Sequence, residues 1–395
     1  MDSPAAGKEG RMAQIATRLD SLARSLAGFR AERGLAISIF LDLDPSIVPT
    51  AMELRSRVAS VVDEARKRVA ELTPELGHGE TMGARDDLDA AESFLAEELD
   101  RSGARGFALY LAGRDGLRRE LPLPTPVEDA AHVARTFALT PLLDALERDR
   151  DFVLVAVGRE RGTLWRSRSG QTELLDDRTE EIARRHDQGG WSQARLQRSV
   201  DNDARAHFRE VADLLAQAIE PGSGTLVLVS CVEEQRPEFE ELLASHVREL
   251  LLGWTASEAH AGPEALEVEA ERLLEEQLGR ERAALLERFG LARREKLATA
   301  SWDVALEAAA DGAIEAALVD GRSPEAWVCP QCGRGTLVPG ACPLDGTRLG
   351  EEPGRALELV VRGTLVHSGE IRRAERLDDF EGVVVLLRFP VVVAS

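Results

Sequence analysis

The chain reads as an α/β protein of three domains, and three observations predict it. Its 395 residues exceed what one ordinary core accommodates. Short β-rich apolar runs alternate with helical periodicities along its length. One helical stretch, residues 264–289, is far longer and more charged than the rest and reads as the link between the second and third domains. The boundaries predicted are 1–145 for an N-terminal α/β domain, 150–262 for a central domain, and 264–395 for a C-terminal α/β domain with a cysteine-bearing insert at 327–348.

In the first domain, residues 11–30 read as an amphipathic helix with Ile15, Leu19, Leu22 and Leu26 on one face. Leu35–Leu43 is rich in Ile, Phe and Leu and reads as a strand stopped by Asp44-Pro45. Residues 51–72 and 86–99 read as helices, and 107–111 as a second strand. The prolines of Leu121–Pro126 predict an extended connector, because each fixes φ and restricts its predecessor. The element order is α-β-α-α-β.

The central domain opens on a strand at 152–157, a hairpin partner at 163–168 and a third strand at 171–175. A glycine loop follows, then a helix over 192–219, a break at Pro221–Gly224, a strand at 225–230 and a helix over 237–252 with Pro237 in its first turn. The long helix 264–289 should bury Leu266, Leu273, Leu274, Leu278, Leu285 and Leu286, with most of its charges solvated. Beyond it lie a helix at 301–310, a strand at 313–319, the insert, a helix or strand at 356–364, and strands at 369–372 and from Val383.

The net charge of −21 argues against general coating of nucleic acid, so any RNA contact must be a local patch. The cations are almost all arginine, with only Lys8, Lys67 and Lys296 as lysines. Arginine is the better side chain for forked contacts to phosphate and for stacking. The first residues are polar and small, unlike a secretory signal, and no apolar run is long enough to span a bilayer. A cytoplasmic protein without membrane partners is expected.

Three of the four cysteines crowd together, in the pattern Cys329-x2-Cys332-x9-Cys342-x2-Asp345. This crowding points to metal in a reducing compartment and not to a disulfide framework. Cys329-Pro330-Gln331-Cys332-Gly333 and Cys342-Pro343-Leu344-Asp345-Gly346 share one form, a tight knuckle in which the glycine frees the backbone. Zinc takes four such ligands in a tetrahedron, and with Asp345 as the unusual fourth no position stays open for water, so the role expected is structural.

The most informative stretch runs from Arg184 to Arg198. Gly189 and Gly190 carry Trp191 at a turn, with arginines on both sides. An ordinary turn into a helix, with Ser192 as N-cap, accounts for the glycines and the serine. It does not account for Arg184, Arg185, Arg195, Arg198, Arg205 and Arg209, among which only Asp187, Asp201 and Asp203 are acidic. The window is positive in a strongly negative chain. No serine or cysteine nucleophile has an evident partner, so His186 reads as a local hydrogen-bonding group.

These residues resemble the central-domain loop of the archaeal and eukaryotic peptide-chain release factors. The chain is similar to bacterial members of that family, Pelota- and Balon-like, with Gly-Gly-Trp in place of Gly-Gly-Gln. His186, Gly189, Gly190, Ser192, Arg195 and Arg198 match the family's loop and Arg-x-x-Arg helix, and Arg184-Arg185 stand for its basic lead. The resemblance covers roughly residues 150–395 by the order of its motifs. It implies a central RNase-H-like mixed sheet and a C-terminal α-β-α sandwich of ribosomal-protein type with a zinc-ribbon insert. It implies structural zinc, and as partners the ribosome, rRNA at the A site and peptidyl transferase centre, and an elongation-factor GTPase.

Two departures from the family matter. Its loop glutamine helps to position the water that cleaves peptidyl-tRNA, and an indole at Trp191 can neither accept that water's proton nor order it with an amide. Where the family's codon-reading motif would stand, the comparable helix carries Glu53-Leu54-Arg55-Ser56-Arg57, which does not support stop-codon decoding. The expectation is therefore a factor that occupies the A site in hibernation or stress without hydrolysis. The alternative is a peptide-releasing or tRNA-cleaving rescue enzyme that uses Gln188 or Gln193.

Overall fold

The computed structural model describes residues 19–168, 171–179, 193–220, 225–256, 262–352 and 354–391, with backbone alone at 179 and 193–201. Two compact units emerge. One holds the chain up to Asp149 and again from Arg280, and the other holds Arg150–Gly279.

The first unit begins with α1 (Leu19–Ala27), β1 (Ala36–Asp42), α2 (Ala51–Leu72) and α3 (His78–Ser93). Residues 11–18 of the expected first helix lie outside the described residues. Thr50 and Glu53 cap α2 reciprocally, which fixes its first turn. The helix expected at 86–99 starts eight residues earlier, at His78, because Glu80 accepts from the Gly77 amide and holds the N-terminus despite two glycines. Then come β2 (Gly106–Ala112), β3 (Leu117–Leu123), β4 (Ala130–Ala134) and α4 (Leu143–Arg148).

All four strands are antiparallel, in the order β3-β2-β1-β4. The first half of the connector expected at 121–126 is the end of strand β3, and β4 was not anticipated. Pro122 is tolerated because β3 lies at the sheet's edge, where one side needs no amide donor. β1 lies inside the sheet and is buried on both faces, so it reads as a continuous apolar run. Ile37, Ile39 and Leu109 face α2 and α3, while Phe40 and Tyr110 join the opposite core with Phe137 and α1.

The second unit contains β5 (Phe152–Val157), β6 (Arg161–Arg168), β7 (Gln171–Thr179), α5 (Gln193–Ala218), β8 (Leu226–Ser230), α6 (Arg236–Leu242), α7 (Ser245–Glu249), β9 (Leu251–Thr255) and the start of α8 (Pro263–Ala292). The strand order is β7-β6-β5-β8-β9, with β5, β6 and β7 antiparallel and β5, β8 and β9 parallel. This is the RNase-H-like mixed sheet. The helix expected over 237–252 stops at Leu242, resumes for one turn, and gives way to β9. Leu251 and Trp254 pack into the same core as α5, and pairing with β8 overrides their helical reading.

On one face Phe208, Val211 and Leu215 of α5 meet Val153, Val155 and Val229. On the other, Leu266, Ala270, Leu274 and Leu278 of α8 meet Leu154 and Leu228. Within α8 the expected stripe needs two changes. Leu273 is half-buried and Leu286 is exposed, while Ala270 and Phe289 belong to the buried side.

The rest of the first unit comprises the end of α8, β10 (Ala298–Thr299), α9 (Trp302–Ala310), β11 (Ile314–Val319), β12 (Trp327–Val328), β13 (Gly335–Thr336), β14 (Gly350–Glu351), α10 (Arg355–Val366), β15 (Glu370–Arg373) and β16 (Val383–Leu387). The main sheet has the order β10-β16-β11-β15. Ala317, Val319, Val383 and Val385 face α9 and α10, while Ala316, Leu318, Val384 and Leu386 face Leu285 and Phe289 of α8. The result is an α-β-α sandwich.

The segments read as first and third domains share one core, in which Leu26, Phe137 and Leu142 pack with Leu306, Val360 and Val361. A buried carboxylate bridges them. Glu358 accepts hydrogen bonds from the amides of Leu139 and Thr140, each at 3.0 Å, and from the Thr140 hydroxyl at 2.8 Å. Among the described residues no helix is long and apolar enough to cross a membrane.

Candidate functional site

In the sequence the glycine loop falls between β7 and α5. Arg184, Arg185, His186, Gln188, Gly189, Gly190, Trp191 and Ser192 lie outside the described residues. Gln193, Arg195 and Arg198 fall in the first turns of α5, where the backbone is described. Their spacing of three puts Arg195 and Arg198 on neighbouring positions of one helix face.

The loop's two supports are built firmly. β7 is the edge strand of the sheet, so its end is free to lead away from it. α5 is 26 residues long, about 39 Å, and its C-terminal half is anchored in the core. A β-carbon on Gly162 would stand 2.3 Å from Val211 Cγ2, so only glycine lets the helix approach β6 this closely. Arg166 donates to the Ala218 carbonyl at 2.9 Å and satisfies the end of the helix. Arg178 pairs with Asp176 on its own strand and reaches Glu210 on α5 at 3.3 Å, which ties β7 to the helix.

Of the flanking arginines, Arg205 is half exposed and 3.7 Å from Glu241, and Arg209 is exposed. One residue of α5 gave no signal in the sequence. His207 is fully buried and neither ring nitrogen has a hydrogen-bond partner.

The second site is the cysteine insert, where β12, β13 and β14 form a small separate sheet. The two knuckles fold alike. The Gly333 amide donates to the Cys329 carbonyl and the Gly346 amide to the Cys342 carbonyl, both at 2.9 Å. Gly333 and Gly346 adopt φ of 75° and 74°, the left-handed conformation that each knuckle requires.

The fold brings together all four residues that the spacing suggested. Their ligand atoms lie within 4.8 Å of one another. Cys332 and Cys342 Sγ are 3.6 Å apart, and Cys329 Sγ is 3.5 and 3.8 Å from the Asp345 carboxylate oxygens. A tetrahedral zinc with bonds of about 2.3 Å sets sulfurs about 3.8 Å apart, so the cluster has the size of a zinc site.

Its electrostatics fit a cation as well. Burial pushes the Cys332 thiol up to about 11. Burial also opposes ionising Cys329, but the amides of Cys332 and Gln331 outweigh it and hold that thiol below its ordinary value. Thr347 hydrogen bonds keep Asp345 below the usual carboxylate range. A divalent cation would supply the charge that lets all four donors ionise together.

The ribbon is seated on the unit's helices. Arg334 pairs with Glu307 of α9 and with Asp311, which caps its end, and a β-carbon on Gly335 would stand 2.5 Å from Leu359 of α10.

The mixed sheet has the strand order β7-β6-β5-β8-β9, and the glycine–glycine–aromatic sequence falls between its edge strand and a long helix. Residues 138–277 match the family described as bacterial archaeo-eukaryotic release factor family 10. That segment contains the whole loop, and over it the chain is similar to this family.

Solved structures similar to the chain include an archaeal translation termination factor, aRF1, at 16% identity, covering 93% of this chain and 96% of that one with a TM-score of 0.26. Pelota of Archaeoglobus fulgidus is 15% identical, covering 72% and 80%, with a TM-score of 0.34. A ribosome-bound archaeal Pelota with ABCE1 is 14% identical, covering 73% and 78%, with a TM-score of 0.39. The likeness to the release-factor family rests on residues 138–277. No curated protein sequence matches the chain.

Proposed function

We propose that this protein is a ribosome-binding factor that enters the vacant A site, extends its glycine loop toward the peptidyl transferase centre and holds the ribosome idle without cleaving peptidyl-tRNA. One observation carries the reading. The family match encloses a loop whose flanks are basic and whose tip residue is Trp191 in place of the family's glutamine. The cations at the loop's base, Arg184, Arg185, Arg195 and Arg198, are a local patch suited to phosphate on an otherwise acidic chain.

An indole next to a glycine pair suits stacking on an exposed base, an interaction worth about 1–3 kcal/mol. It offers no group that activates water. The cysteine insert holds structural zinc through Cys329, Cys332, Cys342 and Asp345 in this reading, and an elongation-factor GTPase is a further partner.

Co-sedimentation with ribosomes of the source cells at low salt tests the proposal. The full chain should pellet with them, more from starved cells, and Arg195→Glu should weaken binding by roughly tenfold, about 1.4 kcal/mol. Failure to pellet would sink the reading. The same complexes carrying peptidyl-tRNA test the chemistry. Peptide release above the uncatalysed rate would favour the hydrolytic reading through Gln188 or Gln193.

A further inference from the structure

We infer that the cysteine ribbon is a peroxide-sensitive site, in which oxidation joins Cys332 to Cys342 and so dismantles the metal centre. The inference rests on the metal reading above. Three observations point to it. Cys332 is exposed, whereas Cys329 and Cys342 are buried, so one sulfur of the cluster is open to an oxidant from solvent. The sulfur facing it is Cys342, at 3.6 Å.

The remaining two donors lie within 4.8 Å of that pair and also meet each other. Cys329 faces the Asp345 carboxylate at 3.5 Å and accepts from the amides of Gln331 and Cys332 at 3.4 and 3.5 Å. Asp345 thus has a consequence beyond being an unusual ligand. With a fourth cysteine there, the cluster could close two disulfides. With a carboxylate there, it closes one and leaves Cys329 a thiol.

The chemistry balances with hydrogen peroxide as oxidant. The Cys332 thiolate attacks one peroxide oxygen, the O–O bond breaks, and hydroxide leaves behind a sulfenic acid. The Cys342 thiolate attacks that sulfur, the S–S bond forms and a second hydroxide leaves. Two electrons pass from the thiolates to peroxide, and two protons from solvent turn both hydroxides into water. Only Cys329 and Asp345 then remain as donors, two fewer than a tetrahedral structural site uses.

The fourth cysteine, Cys231, belongs to the second unit. It is buried, and its thiol is pushed up to about 11 by that burial, so it should stay reduced.

The test uses the full chain, loaded with zinc and freed of excess metal. Zinc is counted first, then hydrogen peroxide is added with a chromophoric chelator present, and the peptides are mapped without reduction. The expected result is release of one zinc per chain, loss of two thiols and a Cys332–Cys342 linked peptide, all reversed by a dithiol reductant with zinc.

A chain that binds no zinc at the outset overturns the metal reading, and this inference with it. A chain that binds zinc and keeps it through peroxide overturns the inference alone, as does release with Cys329 joined to Cys332. Cys332→Ser, if it still takes up zinc, should release it at least tenfold more slowly. Release at the unaltered rate counts against the exposed sulfur as the point of attack.

Discussion

In the proposed reading Trp191 sets the chemistry of the loop, since the family's glutamine would order water and an indole would stack. Trp191→Gln restores the family's amide at that position, and the variant should release peptide from stalled ribosome complexes at least tenfold faster than the parent chain. An unchanged rate would mean that the supporting residues of a hydrolytic site are missing too.

Glu352 is a buried carboxyl of the first unit. Burial pushes its carboxyl above the usual range. Arg362 opposes this less strongly, and the nearby Glu358 adds to it. The folded state therefore holds the Glu352 proton more tightly than the unfolded chain does. Stability from this group is full below the unfolded value near 4.5 and is lost as pH rises through the raised folded value. Glu352→Gln, which has no proton to lose, should flatten the fall in stability across that window in urea unfolding at stepped pH. A slope identical to that of the parent chain would exclude Glu352 as its source.

At the scale of elements, the contact of α5 with β6 governs how well the loop is presented. The helix enters from the loop and is seated by Phe208, Val211 and Leu215, and Gly162 sets the distance. Gly162→Val should force α5 off the sheet and cost about 1–3 kcal/mol, read as a lower urea midpoint for the second unit. Ribosome binding should fall with it, since the arginines of the first turns move with the helix. A variant with full stability but weakened binding would contradict that link.

The other elements show where the residues spoke plainly. α2 was legible because Thr50 and Glu53 cap it and its apolar spacing is regular. β5, β8 and β16 were legible as short, uninterrupted apolar runs. β9 was not, because Leu251 and Leu252 read as the end of the preceding helix and the segment becomes a strand by pairing with β8. β3 was hidden by Pro122, whose position at an edge no local signal reveals.

For the whole molecule, the principal finding is that the two ends of the chain build one body. Residues 1–149 produced alone should expose the face around Phe40, Tyr110 and Phe137 that otherwise packs with Val360 and Val361. That fragment should bind a hydrophobic dye and unfold without a cooperative transition. Residues 150–279, with cores on both faces of their own sheet, should unfold cooperatively. Cooperative unfolding of the first fragment would show that its helix-covered core, on the other face of the sheet, suffices.

The sequence by itself determined the features that depend on near neighbours. These are the knuckles, whose ligands lie three residues apart beside a glycine, the cap of α2, the buried strands, and the charge and composition of the loop. Each is set by φ/ψ preference, spacing or local charge, which a linear reading captures. Only the tertiary structure decided that Cys332 faces Cys342 while Cys329 faces Asp345, that Gly162 must lack a side chain, and that Glu358 binds the amides of Leu139 and Thr140 more than two hundred residues away. Those outcomes depend on which surfaces meet once the chain has folded, and burial and hydrogen-bond satisfaction across such distances leave no mark on the residues nearby.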